Sequence, residues 1–385
     1  MARKTKKALI EALAVTLLTG LASGHVADDA SHGVGGYGKR NGLRRTVAPA
    51  CRRDRYTANV PNGVVSKLGR GERAPDFVLP CGGTPTRFYG CAGGAPTVLV
   101  FPPIHAEEDS SALFEALTEL TTFVVARREP KTKLGMRVFV DADGEVSAVY
   151  GVPEGKGRVV VLDPSLRVIR TLETDAPMGN AVAASVREAV SELLSVEPRV
   201  LLAQAPVLLV PRVLEPEVCE RLVGVWRTCG NQETGVETSE HRMRTHAIRN
   251  ELKRRRDHTV TDESLMKMLV RVVGRRVLPE VHRAFSYPAT RFEGFKIVRY
   301  DSVTGGFFRA HRDNLSPATA HRRFALSLNL NEGYEGGELS FPEYGPVRYR
   351  PAAGEALLFS CSLLHEVTEV TSGERFALLS FLFGE

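Results

Sequence analysis

Hydrophobic positions divide the chain into one stretch without a period and two stretches whose periods differ. Residues 1–68 hold no sustained alternation, and SHGVGGYGKRNGLRRT within them has the glycine and charge content of a flexible arm. Order is expected to begin near Arg70. TVLVF from Thr97 is a continuous apolar run that predicts a buried strand, SSALFEALTEL a helix, TFVVA a second strand, and RVVVLDPSLRVIRTL a hairpin turning at Asp163 to Leu166. Val182, Val186, Val190 and Leu193 recur at three and four residues, which puts them on one face of a closing helix. Strands interleaved with helices predict an α/β sandwich over residues 69–197.

A second boundary falls near Pro198 to Pro211, and residues 212–385 read differently. Leu214, Val218, Leu222 and Val225 mark an amphipathic helix with Pro216 in its first turn and Gly230 at its end. A polar, arginine-rich loop is expected from there to about Asp262, then a helix from Glu263 to Leu278 stopped by Pro279. Beyond Phe292 come GFKIVRY, RRFALSLNLN, GGELSFPE, VRYRP, EALLFS and RFALLSFLF, short strands separated by Gly, Pro and Asn turns. Strands in that number after two helices predict a jelly roll, a double-stranded β-helix, with supporting helices. The chain is therefore expected to be an α+β protein of two domains behind a basic leader.

Composition changes this picture little. With 43% hydrophobic and 25% charged residues the 385-residue chain has a globular balance, and no apolar run is long enough to span a membrane. The net charge of +6 is misleading, because residues 1–70 hold 13 Lys and Arg against 4 Asp and Glu, or +9, leaving −3 for the rest. The excess belongs to the leader and not to a folded face, which argues against nucleic acid as a partner. Arg3, Lys4, Lys6 and Lys7 before the apolar run Ala12 to Ala22 have the form of a secretory signal over residues 1–24, although Glu11 interrupts it and no clean cleavage site follows. Six scattered cysteines do not make a disulfide framework, so the expected compartment is the cytoplasm, with export as the alternative.

The candidate chemistry lies in the barrel. FFRAHRDN sets His311 and Asp313 two residues apart, on one face of an extended strand. His365 follows in LLHEVTEV, and Arg375 ten residues later in GERFALLSF. Two imidazoles and a carboxylate can bind Fe(II) on one triangular face, leaving three positions for a chelating co-substrate and dioxygen. Arg375 can hold the far carboxylate of 2-oxoglutarate bidentately, and the Tyr300 hydroxyl can add a hydrogen bond.

FKIVRY, GGFFRAHRDN, LSLNLN, EGGELSF, AAGEALLFS and HEVTEVTSGERFALLSFLF together closely resemble the prolyl 4-hydroxylase branch of the Fe(II) and 2-oxoglutarate dioxygenases, over about residues 212–385. The resemblance implies that His311, Asp313 and His365 bind iron, that Arg375 holds the co-substrate's C5 carboxylate with help from Tyr300, and that ascorbate keeps the iron reduced. It also implies oxidative decarboxylation of 2-oxoglutarate to succinate and CO2, coupled to hydroxylation of a peptidyl or small-molecule substrate. Upstream, GERAPDFVLP, FVDADGEVSAVYGV and RVVVLDPSLRVI resemble a thioredoxin fold of the peroxiredoxin kind over about residues 70–195. That family's peroxidatic cysteine follows the first core strand, where this chain has FPPIHAEEDSS and has no cysteine between Cys91 and Cys219.

Other readings stay open beside these. A non-enzymatic iron- or oxygen-sensing or binding protein would also keep the triad, and a thiol peroxidase would need Cys81 or Cys91 as a displaced thiol. His105 reads as a cap or surface residue, His321 as a loop residue outside the triad, and Cys361 as packing. The basic run Arg249 to Arg256 reads first as a solvated loop, with a docking site for an acidic or phosphorylated substrate as the alternative. A homodimer through the N-terminal domain is a further possibility.

Overall fold

The computed structural model divides the chain into Met1–Arg53 and Asp54–Glu385, and the account below concerns the second unit. The structure describes residues 58–59, 68–103, 110–130, 135–174, 178–193, 200, 203–240, 243–247 and 249–384. His105 and the signal-like segment 1–24 lie outside the described residues.

Thr97–Phe101, Thr121–Ala126 and Gly157–Leu162 are apolar almost throughout, and such runs are stable only where both faces of a strand are covered. They form the middle of a seven-stranded sheet ordered Thr84–Arg87, Val78–Cys81, Arg137–Val140, Thr121–Ala126, Thr97–Phe101, Gly157–Leu162, Val168–Thr174. The pairings of Thr121–Ala126 with Thr97–Phe101 and with Arg137–Val140 are parallel, and the others antiparallel. Period-two alternation splits the side chains into two cores. Val98, Val100, Val124, Val159 and Val161 meet Leu113, Phe114 and Val186 from the helices Ser111–Ala116 and Asn180–Ser191. Leu99, Phe101, Phe123 and Val160 meet Phe77, Phe88 and Tyr150 on the other face. The first of those helices stops at Ala116, well short of the expected SSALFEALTEL. The hairpin turn falls where expected: Asp163 Oδ1 accepts from the Ser165 and Arg167 amides at 2.9 Å, and Leu166 takes φ 63°.

In the C-terminal half, the main sheet runs Gln232–Glu233, Arg256–Thr259, Lys296–Asp301, Glu374–Phe383, Phe324–Asn329, Ala356–Ser360, Leu208–Val210. A smaller sheet faces it, ordered Lys253–Arg254, Phe307–His311, His365–Val367, Leu339–Ser340, Arg348–Tyr349. This is the jelly-roll core. Ile297, Leu326, Leu358, Phe376 and Leu378 point outward under the helices Pro216–Thr228 and Glu263–Phe285. Val298, Tyr300, Ala325, Phe359 and Ala377 point inward toward Leu339, Phe341 and Val367. Ala58–Asn59, from the stretch expected to be a leader, pairs with Arg291–Phe292.

Two expectations are corrected. The segment from Gly230 to Asp262 is not a loop: it supplies the Val236–Glu240/Met243–Ala247 hairpin and strands to both sheets. Nor does Pro279 stop its helix, which continues to Phe285 and ends on Ser286 at φ 51°. A proline within a helix costs about 3 kcal/mol, and the residues past it offset that cost. Val281 is buried, and the Glu280 carboxylate takes two hydrogen bonds from Arg73 at 2.6 and 2.5 Å and lies 3.7 Å from Arg167. Arg167 also donates to the carbonyls of Arg276 (3.1 Å) and Pro211 (2.8 Å), and Arg212 pairs with Asp163. The turn of the N-terminal hairpin is thereby fixed on the outer helix of the barrel half. Burial, against the pull of Glu280 and Asp163, lowers the Arg167 guanidinium to about 10.

Candidate active site

Phe307–His311 and His365–Val367 pair antiparallel with Phe308 opposite Val367 and His311 opposite His365, so one strand has an extra residue between the two pairs. A regular strand would turn Phe308 and His311 to opposite faces; the bulge returns both to one face. The two rings stack with centroids 3.6 Å apart. Asp313 lies just past the end of that strand, where its amide donates to the Cys361 carbonyl at 3.0 Å. One possible ligand atom each from His311, Asp313 and His365 lie within 4.8 Å of one another.

Hydrogen bonding fixes the rings for this purpose. His311 Nδ1 lies 2.8 Å from the Arg309 carbonyl and His365 Nδ1 3.0 Å from that of Leu363. A carbonyl can only accept, so each ring carries a proton on Nδ1 and presents Nε2 to the Asp313 side of the site. The Nε2 atoms are 3.5 and 3.3 Å from the Asp313 carboxylate. Burial acts to raise Asp313, but the two imidazoles outweigh it and hold the carboxyl below its ordinary range. Burial, against the pull of Asp313, lowers His365. Two imidazole nitrogens and an ionised carboxylate are the donor set that an Fe(II) facial site requires, the metal taking the place of any Nε2 proton.

These groups open into a cavity of about 520 Å³ that also reaches Tyr300 and Arg375. Arg375 is 2% exposed, and its neighbours are uncharged: Nε donates to Asn329 Oδ1 and Nη2 to Ser327 Oγ, both at 3.2 Å, and its guanidinium lies 5.5 Å from the Tyr300 ring centre. Among the described residues no carboxylate lies within ion-pair distance of it. A buried cation without a counter-ion is costly unless a ligand supplies one.

Residues 295–383 match the family model of the 2OG-Fe(II) oxygenase superfamily. The C-terminal region is a 2OG-Fe(II) oxygenase domain. The cofactor set of that family is Fe(II), 2-oxoglutarate and O2, with ascorbate as the typical reductant, and the donor set above fits it. A PKHD-type hydroxylase of Psychrobacter sp. is 36% identical over 75 residues, 19% of this chain and 29% of that relative, so the chain spans less than a third of its length. Among solved structures, a Trichoplax adhaerens prolyl hydroxylase is 18% identical over 46% of this chain and 83% of its own, at a TM-score of 0.38. A Mycobacterium tuberculosis peroxidoxin is 21% identical over 33% of this chain and 99% of its own, at 0.29.

In the oxygenase domain the basic run departs from the solvated loop expected of it. Lys253 is buried at 7% exposure, and Arg255 lies over the Tyr300 and Phe308 rings and donates to Tyr300 Oη at 3.2 Å. Asp257 accepts from Arg255 at 2.7 and 2.8 Å, and the pair stays charged despite burial, which alone would oppose it. No hydrophobic pattern announces these residues. The one available signal is alternation, since Lys253, Arg255 and Asp257 are spaced two apart like the inward positions of a strand. Cys361 is fully buried, and burial followed by the Asp313 charge pushes its thiol up, as packing requires. His321 pairs with Glu293 at 2.9 Å and stays out of the triad. Cys81 and Cys91 are half-buried in the N-terminal sheet region, where Cys91 Sγ lies 3.3 Å from the Phe88 carbonyl.

Among the described residues no helix is long and apolar enough to cross a membrane.

Proposed function

We propose that the chain is an Fe(II)- and 2-oxoglutarate-dependent hydroxylase of the prolyl 4-hydroxylase type, acting on a peptidyl or small-molecule substrate. His311, Asp313 and His365 hold the metal, and Arg375 holds the C5 carboxylate of 2-oxoglutarate beside Tyr300. One observation carries this reading: a triad of two imidazoles and a carboxylate shares a cavity with a buried arginine that has no carboxylate partner among the described residues. When bound, Fe(II) with O2 supplies the oxidising power that converts 2-oxoglutarate to succinate and CO2 and a C–H bond to an alcohol. The protein's part would be to hold the metal through these three side chains alone, to orient the co-substrate with Arg375, and to exclude water with Phe308, Leu339, Phe359 and Val367.

The same reading takes residues 69–197 as a thioredoxin-like domain without a peroxidatic thiol, residues 212–385 as the catalytic domain, and residues 1–68 as a basic leader. The site of action is the cytoplasm, and a homodimer through the N-terminal domain belongs to this proposal; light scattering on the full chain tests it. The decisive experiment is 2-oxoglutarate turnover by anaerobically purified protein reconstituted with Fe(II), comparing wild type with His311→Ala and Arg375→Ala. Iron-dependent succinate from wild type alone supports the proposal. Iron binding without turnover favours a sensor, and absence of iron binding overturns the site.

A further inference from the structure

The oxygenase cavity is lined by six cationic side chains, Lys253, Arg255, Lys296, Arg312, Arg322 and Arg375, against the two carboxylates Glu293 and Asp313. Three of the cations are neutralised by protein carboxylates: Arg255 by Asp257, Arg312 by Glu343 and Arg322 by Glu293. With the divalent metal, ionised Asp313, dianionic 2-oxoglutarate and Arg375 in place, the formal charges of the catalytic centre cancel. Lys253 and Lys296 are left over, and neither has a carboxylate within ion-pair distance among the described residues.

Lys253 is the better placed of the two. Its strand pairs it with Phe308, its ammonium lies 5.4 Å from that ring's centre, and Phe308 stacks on His311 at 3.6 Å. The ammonium has three donors and gives one to Thr234 Oγ1 at 2.6 Å. The Thr234 hydroxyl donates onward to Asp257 Oδ2, and both Asp257 oxygens are already bonded to Arg255. Lys253 therefore keeps donors to spare on the wall beside the metal face. Lys296 stands at the exposed mouth of the same cavity.

We propose that the substrate hydroxylated by this domain carries an anionic group, a carboxylate or phosphate, held by Lys253 with Lys296 at the entrance. This rests on the reading under Proposed function and narrows it from any peptide or small molecule to an acidic one. Burial and then Arg255 lower the Lys253 ammonium to about 7, so anion binding near neutral pH draws a proton into the site.

The test uses the full chain with Fe(II), as wild type, Lys253→Met and Lys296→Met. Succinate formation is measured with matched probes: N-acetyl-L-proline against its carboxamide, and capped proline tripeptides carrying Glu, Gln, phosphoserine or Ser beside the proline. The expected result is a preference of tenfold or more in kcat/KM for the acidic member of a pair. In Lys253→Met that preference falls toward one, while the KM for 2-oxoglutarate moves less than twofold. Carboxylate-only or phosphate-only preference identifies the source of the charge. Equal use of acidic and neutral probes, or a preference unaltered in both variants, overturns the inference. So does a rise in the 2-oxoglutarate KM matching that of Arg375→Met, which would make Lys253 part of the co-substrate site. Calorimetric binding of the same probes needs no turnover. Acid binding that exceeds amide binding and weakens tenfold in Lys253→Met supports the inference even if succinate never forms, whereas equal binding or none refutes it.

Discussion

Replacing Arg375 with Met separates a ligand-binding role from a structural one, because the two predict opposite signs. In the ligand-free protein the substitution removes hydrogen bonds to Asn329 Oδ1 and Ser327 Oγ, a loss of about 1 kcal/mol each. It also removes a buried cation with no carboxylate beside it among the described residues, whose desolvation costs several kcal/mol. The net expectation is a ligand-free variant as stable as wild type or more so, by about 1–3 kcal/mol. Binding moves the other way. Two charge-assisted hydrogen bonds to a carboxylate are worth about 1.5–3 kcal/mol each, so affinity for 2-oxoglutarate falls ~100-fold or more. At a concentration 1,000 times the wild-type Kd the co-substrate stabilises wild type by about 4.1 kcal/mol. After a ~100-fold loss the same concentration gives about 1.4 kcal/mol. Thermal midpoints under anaerobic Fe(II), with and without 2-oxoglutarate, read both effects. A variant that melts lower without ligand and still shows the full ligand-induced shift would refute the assignment of Arg375.

Three further expectations follow from the same charges. Glu280→Ala leaves Arg73 and Arg167 buried without their shared carboxylate and should cost about 3–5 kcal/mol; a change in thermal midpoint equivalent to less than 1 kcal/mol would contradict the role given to this cluster. Gly71→Ala sets a Cβ 2.1 Å from the Arg212 carbonyl at φ +78°, so it should lose more than about 1 kcal/mol, and an unchanged midpoint would mean the two halves do not meet as described. Lys253, facing Arg255, Asp257 and Lys296, gives up its proton near pH 7 when folded, whereas an unfolded lysine keeps it to about pH 10.4. The unfolded chain then binds more protons across that window, so stability gains from rising pH through this residue. Lys253→Met should flatten the rise in midpoint between pH 7 and 9, and parallel profiles for the two proteins would sink the argument.

How much of this was legible in the sequence depended on whether a residue's setting is local. The buried strands Thr97–Phe101 and Gly157–Leu162, the Asp163 turn and the Pro216 helix start follow from runs and caps within a few positions. His311, Asp313, His365, Tyr300 and Arg375 were legible as an ordered set, and their meeting in one cavity accords with that. The helix beyond Pro279 was not, because what extends it is an arginine 207 positions away in the chain. The strands between Gly230 and Asp262 were hidden for a similar reason: they are polar, and their partners are the barrel strands that follow. The bulge that turns Phe308 onto His311 has no glycine or proline to mark it.

The buried charges of this molecule fall into two kinds, and the difference indicates where ligands belong. Arg73, Arg167, Arg212, Asp163 and Glu280 break the rule that charges stay outside, but every arginine among them has a carboxylate within 4 Å, and Arg167 is bonded further to the carbonyls of Arg276 and Pro211. A set of that kind holds two halves of a chain together. Arg375 and Lys253 break the same rule and do not close: one lies among neutral amide and hydroxyl groups, the other beside a carboxylate already committed to Arg255. Uncompensated burial costs stability, which binding of an anion recovers. The two open cations share one cavity with the triad, so a protein that binds two separate acids around one metal accounts for both, whereas a metal sensor with no organic ligand accounts for neither.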